Sequence, residues 1–592
     1  MRSTVLFAFV FLVHNVFAQS VIKTAVLRAK DVKQYELAEW DINLLAAWQN
    51  PYVHDDIALD MLLVAPSGKQ LILPCYFVKG SSGSDSWWKA RFLPQESGRY
   101  KYHFTLRQKE KTVNGRGGKF VAASAGKGAA QVGNGPTQNA KGAPHNSNDA
   151  GRTGILHAKD NWSFVFDNGT PFRGLGENIC WESRARDDSK YFPGLNEDSI
   201  KYNYERMVPL LVAHGGNFFR TWMCRWNLPI DWKANFNNNR YQPSDEYFNP
   251  SAVTKLDRLV DLCDSLGLHM MLTLGQGAYH KSEGGVAESA ADFFVNTAAK
   301  AKYKDRLRYI VARWGYSASI GAWEFFNEVD NVQFGNPRNP IKAADIVQWH
   351  DEMSAYMKQV DPYGHLVTTS ISHRDLAGLD NLKHMDFNQK HIYKATRNIP
   401  PTIVAYARNF DKPYVIGEFG YEWDWSKNFN DFAGGMDSDF KRGLWYGVFS
   451  PTPIVPMSWW WEYFDQRGTD LYIRNVRTIL DRMMKAGNGS FDSVRISVDN
   501  DSIERFAVRC GSEVYVYLHN LSGSRTAGQI KLESAGSGNL ELYDCETGKY
   551  ISSKLVARVE QGTTLVGGIQ LDSNADLVLV LGSGNKPAGN LQ

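Results

Sequence analysis

The chain has little that would staple, charge or anchor it. Six cysteines in 592 residues are far below the density of a disulfide scaffold, and neither the cysteines nor the histidines show zinc-site order. A formal net charge of +3 gives no reason to expect a polyanion-binding protein, so no nucleic-acid partner is expected, although a balanced total leaves room for a local basic site. No transmembrane segment is expected, because nothing approaches the roughly eighteen uninterrupted apolar residues that a spanning helix needs. Thr273-Leu274-Gly275-Gln276-Gly277 has neither the spacing nor the lysine of a phosphate loop. No metal and no cofactor is therefore expected, a calcium ion held by loop carboxylates being the one exception left open.

Aromatic residues are plentiful. Eighteen tryptophans and twenty-seven tyrosines suit a surface that stacks on the C–H faces of sugars, but equally the core of a large protein. The N-terminus has Arg2, an apolar run Val5 to Val13 and Val16-Phe17-Ala18. This is the layout of a signal peptide over 1–18, which predicts a secreted or periplasmic protein, soluble after cleavage.

Three folded units are expected. Residues 19–121 read as short strands (Val21 to Leu27, Ile57 to Val64, Gln70 to Tyr76, Tyr100 to Leu106) between turn-forming clusters, predicting a β-sandwich. Residues 122–151, rich in Gly, Ala, Asn and Ser, read as a linker or loop. Over 152–487 strand and helix patterns alternate. The strands are Phe172 to Ile179, Gly216 to Trp222, His269 to Leu274, Ile320 to Phe326, Leu366 to Ile371, Met385 to Tyr393, Tyr414 to Phe419 and Ile454 to Trp460. Eight strands with crossover helices, and no dinucleotide fingerprint, predict a (β/α)8 barrel. Residues 488–592 predict a second β-sandwich. Cys510 with Cys545, and Cys180 with Cys224, are candidate disulfides; separate buried thiols are the alternative.

Two glutamates end apolar runs: Glu328 in Gly321-Ala322-Trp323-Glu324-Phe325-Phe326-Asn327-Glu328 and Glu418 in Pro413-Tyr414-Val415-Ile416-Gly417-Glu418. Such framing points to opposed carboxylates in one cleft, the minimum for breaking a glycosidic bond. Glu328 is assigned as acid/base and Glu418 as nucleophile. Arg220, Asn327, His391 and Tyr393, also at expected strand ends, support them. Arg220 and Tyr393 keep Glu418 ionised, while poorer solvation keeps the Glu328 proton to higher pH. Glu324, mid-strand, is expected to pair with an arginine. Trp181, Glu182, Tyr279, His280, Trp459, Trp460 and Trp461 are candidate substrate contacts.

Over about 155–485 these strand ends resemble the clan of retaining glycoside hydrolases with (β/α)8 barrels that includes family 5. Asn327-Glu328 matches its fourth-strand acid/base pair and Glu418 its seventh-strand nucleophile. Arg220 matches the strand-two arginine, His391 and Tyr393 the sixth-strand pair, and Trp460 the eighth-strand platform. Glu328-Val329-Asp330 departs from the Asn-Glu-Pro of the best-known cellulases. The leading domain resembles one found before such modules in uncharacterised bacterial secreted enzymes. The resemblance implies retaining hydrolysis of a β-linked polysaccharide or oligosaccharide. A transglycosylase with the same carboxylates, or a non-catalytic carbohydrate-binding protein on this scaffold, are the alternatives.

Overall fold

A computed structural model describes residues 20–125, 153–184, 202–533 and 535–582. The expected signal peptide and most of 122–151 lie outside the described residues.

The N-terminal domain is built from two sheets sharing one core. Strands Val21–Leu27, Ala38–Leu45, Asp85–Phe92 and Tyr76–Gly80 form one; the second includes Ile57–Val64, Gln70–Pro74, Gly98–Gln108 and Lys111–Ala123. Alternation along Asp85–Phe92 explains the packing: Ser86, Trp88, Ala90 and Phe92 turn inward while their neighbours face out. The last strand carries this domain two residues past the expected boundary at 121.

A parallel α/β region follows. Seven parallel strands lie side by side in chain order: Gly176–Asn178, Phe218–Trp222, His269–Thr273, Ile320–Glu324, a broken fifth (Leu366–Thr368 and Ser370–Ile371), Asn388–Tyr393 and Tyr414–Gly420. The expected eighth strand is not a continuous one. Residues 454–458 instead make single parallel bridges, Gly174↔Ile454, Glu177↔Ser458 and Phe419↔Ser458. They touch both the first strand and the seventh, an arrangement consistent with a barrel. Crossover helices carry their own start and stop signals. In Pro250–Leu266, the Asn249 side chain accepts from the N–H groups of Ser251 and Ala252, proline opens the helix and Gly267 closes it at φ 64°. A hairpin formed by Phe164–Phe166 and Pro171–Phe172 packs Phe164, Phe166 and Phe172 against apolar residues of the strands. It seals the end opposite Glu328 and Glu418.

The C-terminal domain is antiparallel and forms one curled ten-stranded sheet rather than two clearly separate ones. Both flanking domains are tied to the α/β region. Arg308 reaches Asp60 at 2.6 Å, Tyr52 stacks on Tyr247 at 5.5 Å, and Lys441 pairs with Asp576 at 2.8 Å. All six cysteines are free thiols, five of them buried, so neither candidate disulfide is present. No helix among the described residues is long and apolar enough to cross a membrane.

Candidate active site

Parallel strands deliver their C-terminal residues to one rim. Strand two ends near Arg220, the chain leaving strand four bears Asn327 and Glu328, strand six ends in His391 and Tyr393, and strand seven bears Glu418. Glu328 itself adopts the left-handed conformation, φ 48°, uncommon for a non-glycine residue and a local strain typical of functional positions. Its N–H donates to the Ser370 hydroxyl at 2.9 Å.

Arg220, fully buried, organises the floor. Nε and Nη2 donate to the two oxygens of Glu324 at 2.6 and 2.9 Å, Nη1 to Glu418 Oε1 at 2.6 Å and to Asn178 Oδ1 at 3.1 Å, and Nη2 also to Asn327 Oδ1 at 2.7 Å. Burial opposes the guanidinium charge, but the two carboxylates outweigh it and hold the proton more tightly than usual. Tyr393 donates to Glu418 Oε2 at 2.7 Å. His391 Nδ1 lies 2.8 Å from Glu328 Oε1 and 3.4 Å from Glu418 Oε2. One ligating atom each from Glu328, His391 and Glu418 falls within 4.8 Å of the others.

The protonation order reverses the expectation from sequence. Burial raises the Glu418 carboxyl, and the opposing pull of His391, Arg220 and Tyr393 does not fully offset it. Burial acts in the same sense on Glu328, but hydrogen bonds from His391 and Asn331 and the charges of His391 and Arg220 bring it below its ordinary value. His391 is pulled down by burial and up more strongly by both carboxylates, so its pKa is raised. The physical reason is access: the Glu328 side chain is 20% exposed and that of Glu418 4%.

Above these residues lies a cleft of about 900 Å³. Eight of the chain's eighteen tryptophans line it, a density that core packing alone does not require. Trp181, Trp459, Trp460 and Trp461 are among them, as expected. Trp460 is held at φ 64°, with Nε1 donating to the Glu422 carbonyl at 2.5 Å. Three other candidates lie elsewhere. Glu182 is buried, accepts the Tyr204 N–H at 3.1 Å and pairs with Lys255 at 2.9 Å, so it anchors the start of a helix. Tyr279 lines a separate depression with Asp231 and Arg306, and His280 packs on it at 4.2 Å. Their loop folds back on itself through Ala287 N–H to Tyr279 carbonyl and Gly285 N–H to His280 carbonyl, 2.8 and 2.9 Å. Sequence reasoning missed Asn178, Trp222, Trp226, Trp423 and Trp425. Asp330, the residue that sets this chain apart from the Asn-Glu-Pro pattern, is fully buried and accepts the N–H groups of Ser372, His373 and Arg374 at 2.7–3.2 Å.

With this geometry in view, the likenesses to known proteins fall into place. Mannan endo-1,4-beta-mannosidase A of Podospora anserina is 26% identical over 208 residues, covering 30% of this chain and 52% of that protein. Probable mannan endo-1,4-beta-mannosidase F of Neosartorya fischeri is 24% identical over 282 residues, 40% and 59% respectively. The chain is a distant relative of endo-β-mannosidases. It spans only a little over half the length of these two relatives. Residues 31–107 match the family model DUF5060, a domain of unknown function. A solved chain from Bacteroides vulgatus ATCC 8482, assigned to the glycoside hydrolases, superposes with a TM-score of 0.64 at 14% identity, over 94% of this chain and 100% of that one. That likeness shows a shared fold.

Proposed function

We propose that this chain is a retaining glycoside hydrolase that cleaves β-glycosidic bonds of a polysaccharide or oligosaccharide by double displacement. One observation carries the reading: one carboxylate oxygen of Glu328 and one of Glu418 lie within 4.8 Å of each other, facing each other across the same His391 nitrogen. Carboxyl groups about 5–5.5 Å apart suit a covalent path, whereas an inverting site separates them by roughly 6.5–9.5 Å to admit water.

Glu418 attacks the anomeric carbon as the glycosidic C–O bond breaks, and Glu328 protonates the departing oxygen, leaving a glycosyl ester on Glu418. Water then gives a proton to Glu328 and attacks the same carbon, releasing the sugar and the Glu418 carboxylate. The proton that Glu328 needs in the first step sits beside it. Transfer from His391 Nδ1 across 2.8 Å produces a protonated Glu328 and a neutral imidazole with no change in net charge. Arg220 and Tyr393 hold Glu418 for in-line attack.

β-Mannan is the first polymer to test, from the relatives' names. The α/β region is read as a (β/α)8 barrel closed through 454–458, with β-sandwich-type domains on either side. The pattern over 1–18 supports export.

The test is hydrolysis of a panel of β-mannan, β-glucan, β-xylan and galactan, with the first product's anomeric form followed by NMR. Retention is expected. Glu418→Gln abolishes turnover, and Glu328→Gln lowers kcat/KM on substrates with sugar leaving groups about 10²–10⁴-fold while sparing kcat/KM, but not kcat, on those with acidic phenol leaving groups, whose glycosyl ester still needs Glu328 as base. Unchanged turnover in both variants overturns the mechanism, and lengthened products with added acceptor point to transglycosylation instead.

A further inference from the structure

Two tryptophan rings in the cleft are held half bare. Trp423 and Trp425 are 53% and 49% exposed, and both line the cleft. Neither packs on another aromatic ring among the described residues. The tryptophans at the other side behave differently: Trp181 packs edge-to-face on Trp222, Trp459 and Trp461 at 5.2–5.5 Å.

The loop bearing Trp423 and Trp425 is pinned. It leaves strand seven just after Glu418, and Glu422 clamps it. The Glu422 carboxylate accepts the N–H groups of Trp423 and Asp424 at 3.0 and 3.1 Å and pairs with Lys394 at 2.8 Å and with Lys427. Its carbonyl accepts Trp460 Nε1 at 2.5 Å. Asp424 then accepts the Ser426 N–H and hydroxyl at 3.0 and 2.6 Å. Large rings are normally withdrawn from water, and apolar surface fixed in a cleft marks a ligand contact. Lys394 pairs with Glu422 while its Nζ lies 5.2 Å over the Trp423 ring, covering part of one face, and Lys427 also pairs with Glu422; with Asp424 the loop balances two cations with two carboxylates.

Building on the glycosidase reading, we infer that Trp423 and Trp425 form a platform for sugars beyond the reacting one, selecting an uncharged β-linked chain several units long. The platform is tied through Trp460 to the rim that holds the reacting sugar, so it forms with the site rather than after substrate arrives.

Binding is read without catalysis, by affinity electrophoresis of the full chain in gels containing each neutral polymer of the panel, a polyuronate or a sulfated galactan. The wild type is expected to be retarded by at least one neutral polymer, and Trp423→Ala/Trp425→Ala to bind it about ten-fold more weakly with unchanged thermal melting. In hydrolysis, the double variant loses about ten-fold in kcat/KM on the polymer but keeps its rate on an aryl β-glycoside, which ends at the reacting sugar. Equal retardation of both proteins, retardation by charged polymers alone, none by any neutral polymer, or equal losses on both substrates overturns the platform. Tryptophan-dependent retardation without any hydrolysis overturns the glycosidase reading and leaves the platform standing.

Discussion

Nδ1 of His391 lies 2.8 Å from Oε1 of Glu328, and this contact ties the proposed acid/base to the proposed nucleophile, because the same nitrogen is 3.4 Å from Glu418 Oε2. Its consequence is a defined pH dependence. The folded pKa of His391 is raised above the ordinary value of about 6.5, so the stability it contributes is complete below that value. This stability is lost as pH rises through the raised folded pKa. His391→Gln should therefore destabilise the protein more near pH 6 than near pH 9 in denaturant titrations. The alkaline limb of kcat/KM should also move in the variant. A penalty equal at both pH values contradicts the shared proton.

Arg220 serves two masters. Replacing it with methionine leaves Glu324 and Glu418 buried without their cation, which costs about 3–5 kcal/mol of stability. A second substitution, Glu324→Leu, should return part of that stability by removing the orphaned charge. Turnover should stay lost in the double variant, because Glu418 still lacks its 2.6 Å donor. Recovery of turnover together with stability would show that Arg220 acts on folding alone.

Gly417 gives the site its depth. A Cβ there would meet Gln389 Oε1 at 2.2 Å and His391 Nε2 at 3.1 Å. Gln389 and His391 are both buried, so neither side chain has free space to retreat into. Gly417→Ala is expected to lower kcat about ten- to a hundred-fold through misplacement of His391, with the circular dichroism spectrum unchanged. Wild-type kcat in this variant would show that the imidazole's position is not critical.

The legible part of this protein was whatever depends on strand ends. Glu328, Glu418, Arg220, His391 and Tyr393 were readable because a parallel strand carries its last residues to a common rim whatever the loops do. Glu324 was readable as an arginine partner from its even spacing before Glu328. Tyr279, His280 and Glu182 were misplaced because they ride on the connections, and a loop's return path is set by its own hydrogen bonds. Trp423 and Trp425 stood in plain view five and seven positions after Glu418. Nothing local distinguishes a ring clamped open from one folded inward, and the clamp needs Lys394 and Trp460 from other segments. The missing eighth strand has a similar cause: the apolar run 454–457 is buried yet makes only isolated bridges. Proton order was beyond sequence altogether, being a sum over burial and four charges.

Tyr52 of the N-terminal domain stacks on Tyr247 and meets Phe248 and Tyr309 edge-on at 5.3 and 5.7 Å. His54 of the same loop gives its N–H to Asp305 at 2.9 Å. The domain of unknown function is thus keyed to its neighbour by shape and charge together. Parting the two would leave Asp305 without this donor and would bare the faces of Tyr247, Phe248 and Tyr309 that Tyr52 now covers.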